Sequence, residues 1–90
     1  MLLKKYDNLL KNLGMNIKLA RLRRKLSLEQ IAERANISKD ILLLVEDGGK
    51  DLTIEIYLKV LITLGLEDDI SKIALDDKLG RKLQDIELLK

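Results

Sequence analysis

The chain contains neither cysteine nor histidine. Without thiols it can form no disulfide and no thiolate metal site. Without imidazole it lacks the side chain that most readily exchanges protons near neutral pH. We therefore expect no enzymatic activity, no metal site and no cofactor.

Proline, phenylalanine and tryptophan are absent too, and Tyr6 and Tyr57 are the two aromatic residues. A core must then consist of leucine, isoleucine, valine and alanine, which favours helices. Charged residues make up 36% of the chain and no β-branched alternating run occurs, which argues against a sandwich or barrel. Ninety residues suffice for one core and not for two. We predict a single all-α domain.

Long apolar segments are also lacking. The longest run, Ile41 to Val45, is far shorter than the roughly 20 residues of a membrane-spanning helix. The first residues contain no apolar stretch typical of a secretory signal. We expect a cytoplasmic protein without a membrane partner.

The small net charge of +2 conceals an uneven distribution of charge. Residues 11–34 hold seven bases and two acids, a local net charge of +5, whereas residues 46–77 hold nine acids and three bases, a local net charge of −6. This polarity is consistent with one face for a polyanion and another for a basic partner. Two solvated helical faces would give the same distribution.

Apolar residues near the N-terminus recur at steps of three and four and predict a helix. Gly14 weakens that helix, so the segment is either one helix or two. The apolar positions are Leu2, Leu3, Tyr6, Leu9, Leu10, Leu13 and Ile17.

Capping signals mark the helices that follow. Ser27 and Gln30 have the spacing of a capping box, which predicts a helix over residues 28–35. Asn36 tolerates the left-handed conformation that ends a helix, and Ser38 can cap a next helix that runs to about Asp47.

Two further helices are predicted downstream. Thr53 can cap a helix that ends at Gly65, and residues 67–75 resemble a last short helix with acids in its first turn. The pattern of apolar residues from Leu79 to Lys90 fits both a helix and a strand, so the sequence does not decide between the two.

The segments 27–38 and 45–48 resemble the helix-turn-helix of Cro and the phage repressors, and the resemblance covers about residues 14–66. It implies a five-helix, lambda-repressor-like DNA-binding domain with a recognition helix that enters the major groove. The implied parts are an N-terminal helical extension (1–13), the domain (14–76) with its helix-turn-helix unit (27–48), and a C-terminal tail for dimerisation or partner binding (77–90).

The resemblance also implies roles for single residues. Arg21 and Glu46 occupy the places of a structural ion pair, partly buried, that fixes the recognition helix. Leu42 and Val45 fit the core at three-residue spacing. The positions that correspond to base contacts are Lys39, Asp40, Ile41 and Leu44.

Phosphate contacts need donors at helix N-termini and flexible cations nearby. Each of the residues that meet this need has an alternative, purely structural or solvated role. They are Lys18, Arg34, Ser38, Lys50 and Thr53.

The recognition helix departs from the family pattern. Base edges are usually read by Arg, Lys, Asn or Gln, yet Leu43 and Leu44 are apolar, and acids outnumber the one base, Lys39, between Ser38 and Asp47. Leu28 stands at the position where members of the family often have a glutamine that binds a phosphate. Lys39 could bond guanine while Ile41 and Leu44 touch thymine methyl groups, or Leu43 and Leu44 could form an exposed patch for a protein contact.

A narrower resemblance extends into the tail. Residues 64–70 and 76–85 are similar to HipB-type proteins, the DNA-binding antitoxins that partner HipA-type serine/threonine kinase toxins. It implies a homodimer that binds a palindromic operator, represses its own operon and holds the kinase. It also implies dimerisation through the tail, often by a strand pair, here at Leu83, Ile86, Leu88 and Leu89.

A second hypothesis keeps the fold and changes the function. The chain would then be a protein-interaction scaffold with little DNA affinity that binds a partner through Leu43 and Leu44 or through the acidic region of residues 46–77.

Overall fold

The structure is a computed structural model that describes residues 2–75 and residue 89. The described part is all-helical and contains no strand, as the composition predicts. The predicted tail contacts Leu83, Ile86 and Leu88 lie outside the described residues, and Leu89 is exposed. The helices are α1 (Leu2–Arg23), α2 (Leu28–Ala35), α3 (Lys39–Glu46), α4 (Ile54–Leu64) and α5 (Glu67–Ser71).

Apart from Tyr57, the core is aliphatic, and it is shared by the four longer helices. α3 packs against α1 and α2, while α4 packs against α1, α2 and α5. Each fully buried aliphatic side chain contributes about 1.5–3 kcal/mol of burial free energy. The largest fully buried side chains are Ile17, Ile31, Leu42, Val45 and Val60.

α1 continues through Gly14, so the first of the two alternatives, a single helix, is the one found. Its contacts with the core begin at Leu10 and continue through Leu13 and Ile17. Tyr6 and Leu9 are exposed, although their spacing groups them with these residues. Residue spacing alone did not show where along α1 its packing partners begin.

α2 begins and ends at the predicted residues. The Ser27 hydroxyl accepts a hydrogen bond from the Gln30 amide, and the Gln30 side chain accepts one from the Ser27 amide, which completes the capping box. Asn36 has a φ of 58° and ends the helix in the left-handed conformation. Residues 36–38 form a three-residue turn, and Ser38 caps α3 by accepting from the Ile41 amide.

The last two helices differ in how closely they follow the prediction. Thr53 caps α4, and Gly65, with a φ of 76°, ends it as predicted. α5 was predicted to reach Leu75 but ends at Ser71. It has no buried side chain to support another turn, and Ala74, with a φ of 61°, leaves the helical conformation. In the described part of the chain, no helix is both long and apolar enough to cross a membrane.

Gly14 lies where α1 comes closest to the end of α3. A Cβ atom at this position would stand 2.5 Å from the carbonyl oxygens of both Val45 and Glu46. The neighbouring loop is equally tight, because Gly48 has a φ of 77° and its Cβ would stand 2.7 Å from the Lys11 Cα. Glycine at position 14 therefore permits the close packing of α1 on α3 and does not divide α1.

We predict that Gly14→Ala destabilises the protein. In an exposed helix this change stabilises by up to about 1 kcal/mol, but here the added methyl group meets two backbone oxygens that cannot move freely. We expect a net loss of about 1–3 kcal/mol in the free energy of unfolding, measured by urea denaturation.

Asn16→Ala is the matched control, because Asn16 is exposed on the same helix. It should leave stability unchanged or raise it slightly. If Gly14→Ala stabilised the protein as Asn16→Ala does, the close contact between α1 and α3 would be refuted.

Candidate nucleic-acid interface

α3 has one buried side and one exposed side. Leu42 and Val45 are fully buried, as predicted for core residues. The opposite side is open to solvent, because no other described helix covers it. Of the four predicted base-contact residues, Lys39, Asp40 and Leu44 are exposed and Ile41 is half-buried.

The predicted ion pair between Arg21 and Glu46 is present and joins α1 to the last turn of α3. The Arg21 Nε and Nη2 atoms donate to the two Glu46 carboxylate oxygens over 2.8 and 3.1 Å. The Arg21 Nη1 atom donates to the Leu26 carbonyl oxygen over 3.0 Å. The two side chains are only 9% and 4% exposed. This two-bond geometry fixes the orientation of α3 relative to α1.

The ion pair also changes the charge that α3 presents. Glu46 is buried and neutralised, so its charge does not reach the surface. Lys39, Asp40 and Asp47 remain exposed. The exposed charges of the helix and its C-cap Asp47 therefore sum to −1, whereas all of the charged residues of this segment together sum to −2.

Lys39 forms an ion pair that the sequence did not reveal. Its Nζ atom lies 2.8 Å from the Glu29 Oε1 atom at the start of α2. The hydrogen bond from Lys39 lowers the pKa of Glu29, and the same bond raises the pKa of Lys39. Both side chains are at least half exposed, so the pair is weak and can be exchanged for another acceptor.

Two of the predicted phosphate contacts are capping residues. The Ser38 and Thr53 hydroxyl oxygens accept hydrogen bonds from the amides of Ile41 and Ile56 over 3.0 and 3.4 Å. Each hydroxyl keeps its own hydrogen and can still donate to a phosphate oxygen. The structural role and the phosphate role are thus compatible at both positions.

The three predicted cations differ in their surroundings. The Lys50 Nζ atom lies 2.9 Å from the Asp7 Oδ1 atom on α1, and this ion pair raises the pKa of Lys50. Lys18 and Arg34 are exposed, and neither forms an ion pair within the part of the chain that the structure describes. Of these three cations, Lys18 and Arg34 can bind a polyanion directly, whereas Lys50 must exchange Asp7 for a phosphate.

The leucines that depart from the family pattern have different environments. Leu43 and Leu44 are 37% and 47% exposed, as predicted from their position opposite Leu42 and Val45. Leu28 is half-buried and packs against the core, so its side chain helps to hold α2 on the domain.

Neither the comparison with protein-family models nor the comparison with curated proteins finds a match for this chain. Within the described residues, no cluster of acidic side chains could hold a metal ion. Support for a function comes from the geometry of α2, α3 and their surroundings.

We predict that Arg21→Met lowers the free energy of unfolding by about 3–5 kcal/mol, because it leaves a buried carboxylate without its partner. Arg21→Met combined with Glu46→Leu should recover most of this loss, since no buried charge then remains. Urea denaturation measures both changes.

Arg23→Met serves as the control, because Arg23 is exposed on the same helix. It should change stability by no more than about 0.5 kcal/mol. An equally small effect of Arg21→Met would contradict a stabilising role for the buried pair.

We further predict a pH signature of the pair between Glu29 and Lys39. The carboxyl carbon of Glu29 should titrate below the ordinary value of 4.5, and Lys39→Ala should return its pKa toward that value. The pKa of Glu29 is lower in the folded state than in the unfolded state. The pair therefore stabilises the folded state fully at pH values above the unfolded pKa, and this stabilisation is lost as the pH falls through the folded pKa. Carbon-13 NMR of the carboxyl group measures this.

Lys59→Ala removes a lysine from another exposed pair, with Glu55 on α4. It should leave the Glu29 titration unchanged. If the pKa of Glu29 did not change in Lys39→Ala, the two side chains would not pair in solution.

Proposed function

We propose that this chain is a sequence-specific DNA-binding protein whose α2, three-residue turn and α3 act as a helix-turn-helix in a lambda-repressor-like domain. In this proposal it is a homodimeric autorepressor and the antitoxin component of a HipA-type kinase toxin-antitoxin system. α3 is the recognition helix.

One observation carries the proposal. Two helices of eight residues are joined by a three-residue turn, and the second presents one side to solvent while the other is locked into the core. This spacing suits a helix that lies in the major groove while the preceding helix crosses the DNA backbone. The pair of Arg21 and Glu46 supports it, because a helix that reads bases must keep a fixed orientation.

The proposed contacts divide into base and phosphate contacts. Lys39 exchanges Glu29 for the O6 and N7 atoms of a guanine, while Ile41 and Leu44 contact thymine methyl groups. Asp40 lies in the same first turn, where it can accept from a cytosine amino group. The proposed phosphate contacts are Lys18, Arg34, Ser38, Lys50 and Thr53.

A homodimer is part of the proposal because one recognition helix covers only a half-site. Two-fold symmetry then matches a palindromic operator. The role of the tail residues Leu83, Ile86, Leu88 and Leu89 in dimerisation, and the kinase partner, rest on the resemblance to HipB-type antitoxins.

A protein-interaction scaffold with little DNA affinity is the second candidate. The adjacent exposed side chains of Leu43 and Leu44 favour it, because neither can hydrogen-bond a base edge. This candidate needs no release of Lys39 from Glu29.

The test is a titration of the protein against its own upstream DNA and against scrambled DNA, each at low and physiological salt. The proposal predicts tight binding to the upstream fragment alone that persists at physiological salt. Equal binding to both fragments that disappears with salt, or no binding, would favour the scaffold.

Two variants test the role of Lys39 in the same titration. Lys39→Ala should weaken operator binding roughly ten- to a hundredfold and relax specificity at one base pair. Glu29→Gln should strengthen binding, because Lys39 no longer has to leave a carboxylate. Lys59→Ala is the control and should have no effect, whereas unchanged affinity in Lys39→Ala would remove Lys39 from the base contacts.

A further inference from the structure

α1 carries apolar side chains on two opposite sides. Leu13, Ile17 and Ala20 face the core. Met15, Leu19 and Leu22 follow each other at steps of four and three residues and are 51%, 43% and 49% exposed. At about 100° per residue, this second stripe lies roughly opposite the first.

The spacing of the exposed stripe is that of a helix face that packs against another protein surface. A helix that needs only one buried side gains nothing from three large apolar residues in a row on its solvent side. Here Met15, Leu19 and Leu22 form one continuous strip over two turns of α1.

The charges beside the stripe define what can cover it. From residue 8 to residue 28 the sequence contains no acidic residue. Lys11, Lys18 and Arg23 are exposed on the same helix as the stripe. A second α1 packed on this stripe would bring like charges together, which costs association free energy, so an acidic surface is the more favourable partner.

The chain itself contains a surface of that kind. Glu67, Asp68 and Asp69 are all exposed on α5, and Ile62 and Ile73, 53% and 63% exposed, lie shortly before and after it. This region is acidic and partly apolar, whereas the α1 stripe is basic and apolar.

We infer that the α1 stripe of Met15, Leu19 and Leu22 binds the acidic α5 region of a second copy of this chain. In a two-fold dimer each copy offers both surfaces, so the contact forms twice. Exposed apolar area is small compared with the roughly 800 Å² that each partner buries in a stable interface. Charge attraction must therefore contribute, and the association depends on salt.

This inference rests on the homodimer of the proposed function and deepens it, because it adds a contact between α1 and α5 to the tail contacts that the resemblance implies. Self-association is measured without DNA. A failure to bind the operator and a failure to associate through α1 are therefore separate results.

The first experiment is analytical ultracentrifugation of the full chain over a series of concentrations at low and high salt. Leu19→Lys should raise the dimer dissociation constant about tenfold or more. Leu9→Lys is the matched control, because Leu9 lies on the same helix outside the stripe and is 61% exposed, and it should leave the constant unchanged. Both sites are exposed, so circular dichroism should show intact helices.

The second experiment exchanges charges between the two surfaces. Arg23→Glu and Asp68→Lys should each weaken self-association, because each places like charges at both contacts. A mixture of the two variants should associate like the wild type. In the mixed dimer the introduced glutamate of one copy faces the introduced lysine of the other, and the second contact keeps its native pair. Recovery in the mixture requires direct contact between α1 and α5 of different copies.

Three outcomes would overturn the inference. Tighter binding of Arg23→Glu to the wild-type chain would show that α1 packs on α1. Loss of the dimer in Leu83→Lys without any effect of Leu19→Lys would assign the interface to the tail. A chain that stays monomeric at every concentration at low salt would show that the dimer does not form.

Discussion

The ion pair between Arg21 and Glu46 is the contact on which the arrangement of the helices depends. It joins two helices through residues that are 25 positions apart in sequence, and it does so at the end of α3, where Gly14 lets α1 approach the backbone. Burial makes such a pair expensive unless its hydrogen bonds are complete. Here both carboxylate oxygens are bonded, and the Leu26 carbonyl oxygen takes a third bond from the guanidinium group. Arg21 thus fixes the last turn of α3 relative to α1, and the Ser38 cap sets the residue at which α3 begins.

The same pair determines what the exposed side of α3 can recognise. With Glu46 neutralised inside the domain, the accessible charges are those of Lys39, Asp40 and Asp47. Lys39 is held by Glu29, and this exposed pair is weak enough to exchange. With an exposed net charge of −1, α3 with its C-cap Asp47 supplies none of the electrostatic attraction that drives DNA binding. In the proposed complex that attraction must come from cations outside α3, such as Lys18 and Arg34, and α3 contributes selection among bases.

Local signals explain which parts of the fold the sequence could predict. The capping box at Ser27, the left-handed Asn36 and the caps at Ser38 and Thr53 each depend on residues within one turn, so their spacing alone located α2, α3 and the start of α4. The pair of Arg21 and Glu46 was predictable only because a family resemblance placed both residues. Lys39 with Glu29, and Lys50 with Asp7, join positions with no regular spacing. Helix propensity indicates a weak point at Gly14, but the backbone of another helix sets its environment. α5 ends at Ser71 because no buried side chain supports a further turn.

The most direct test of the account is amide NMR of the labelled chain during titration with a duplex of its own upstream DNA. The account predicts that the largest shifts occur from Ser38 to Leu44, that Glu29 shifts as Lys39 leaves it, and that scrambled DNA gives no such pattern. Shifts confined to α4 and α5, or the same weak shifts with both duplexes, would contradict α3 as a helix that reads DNA.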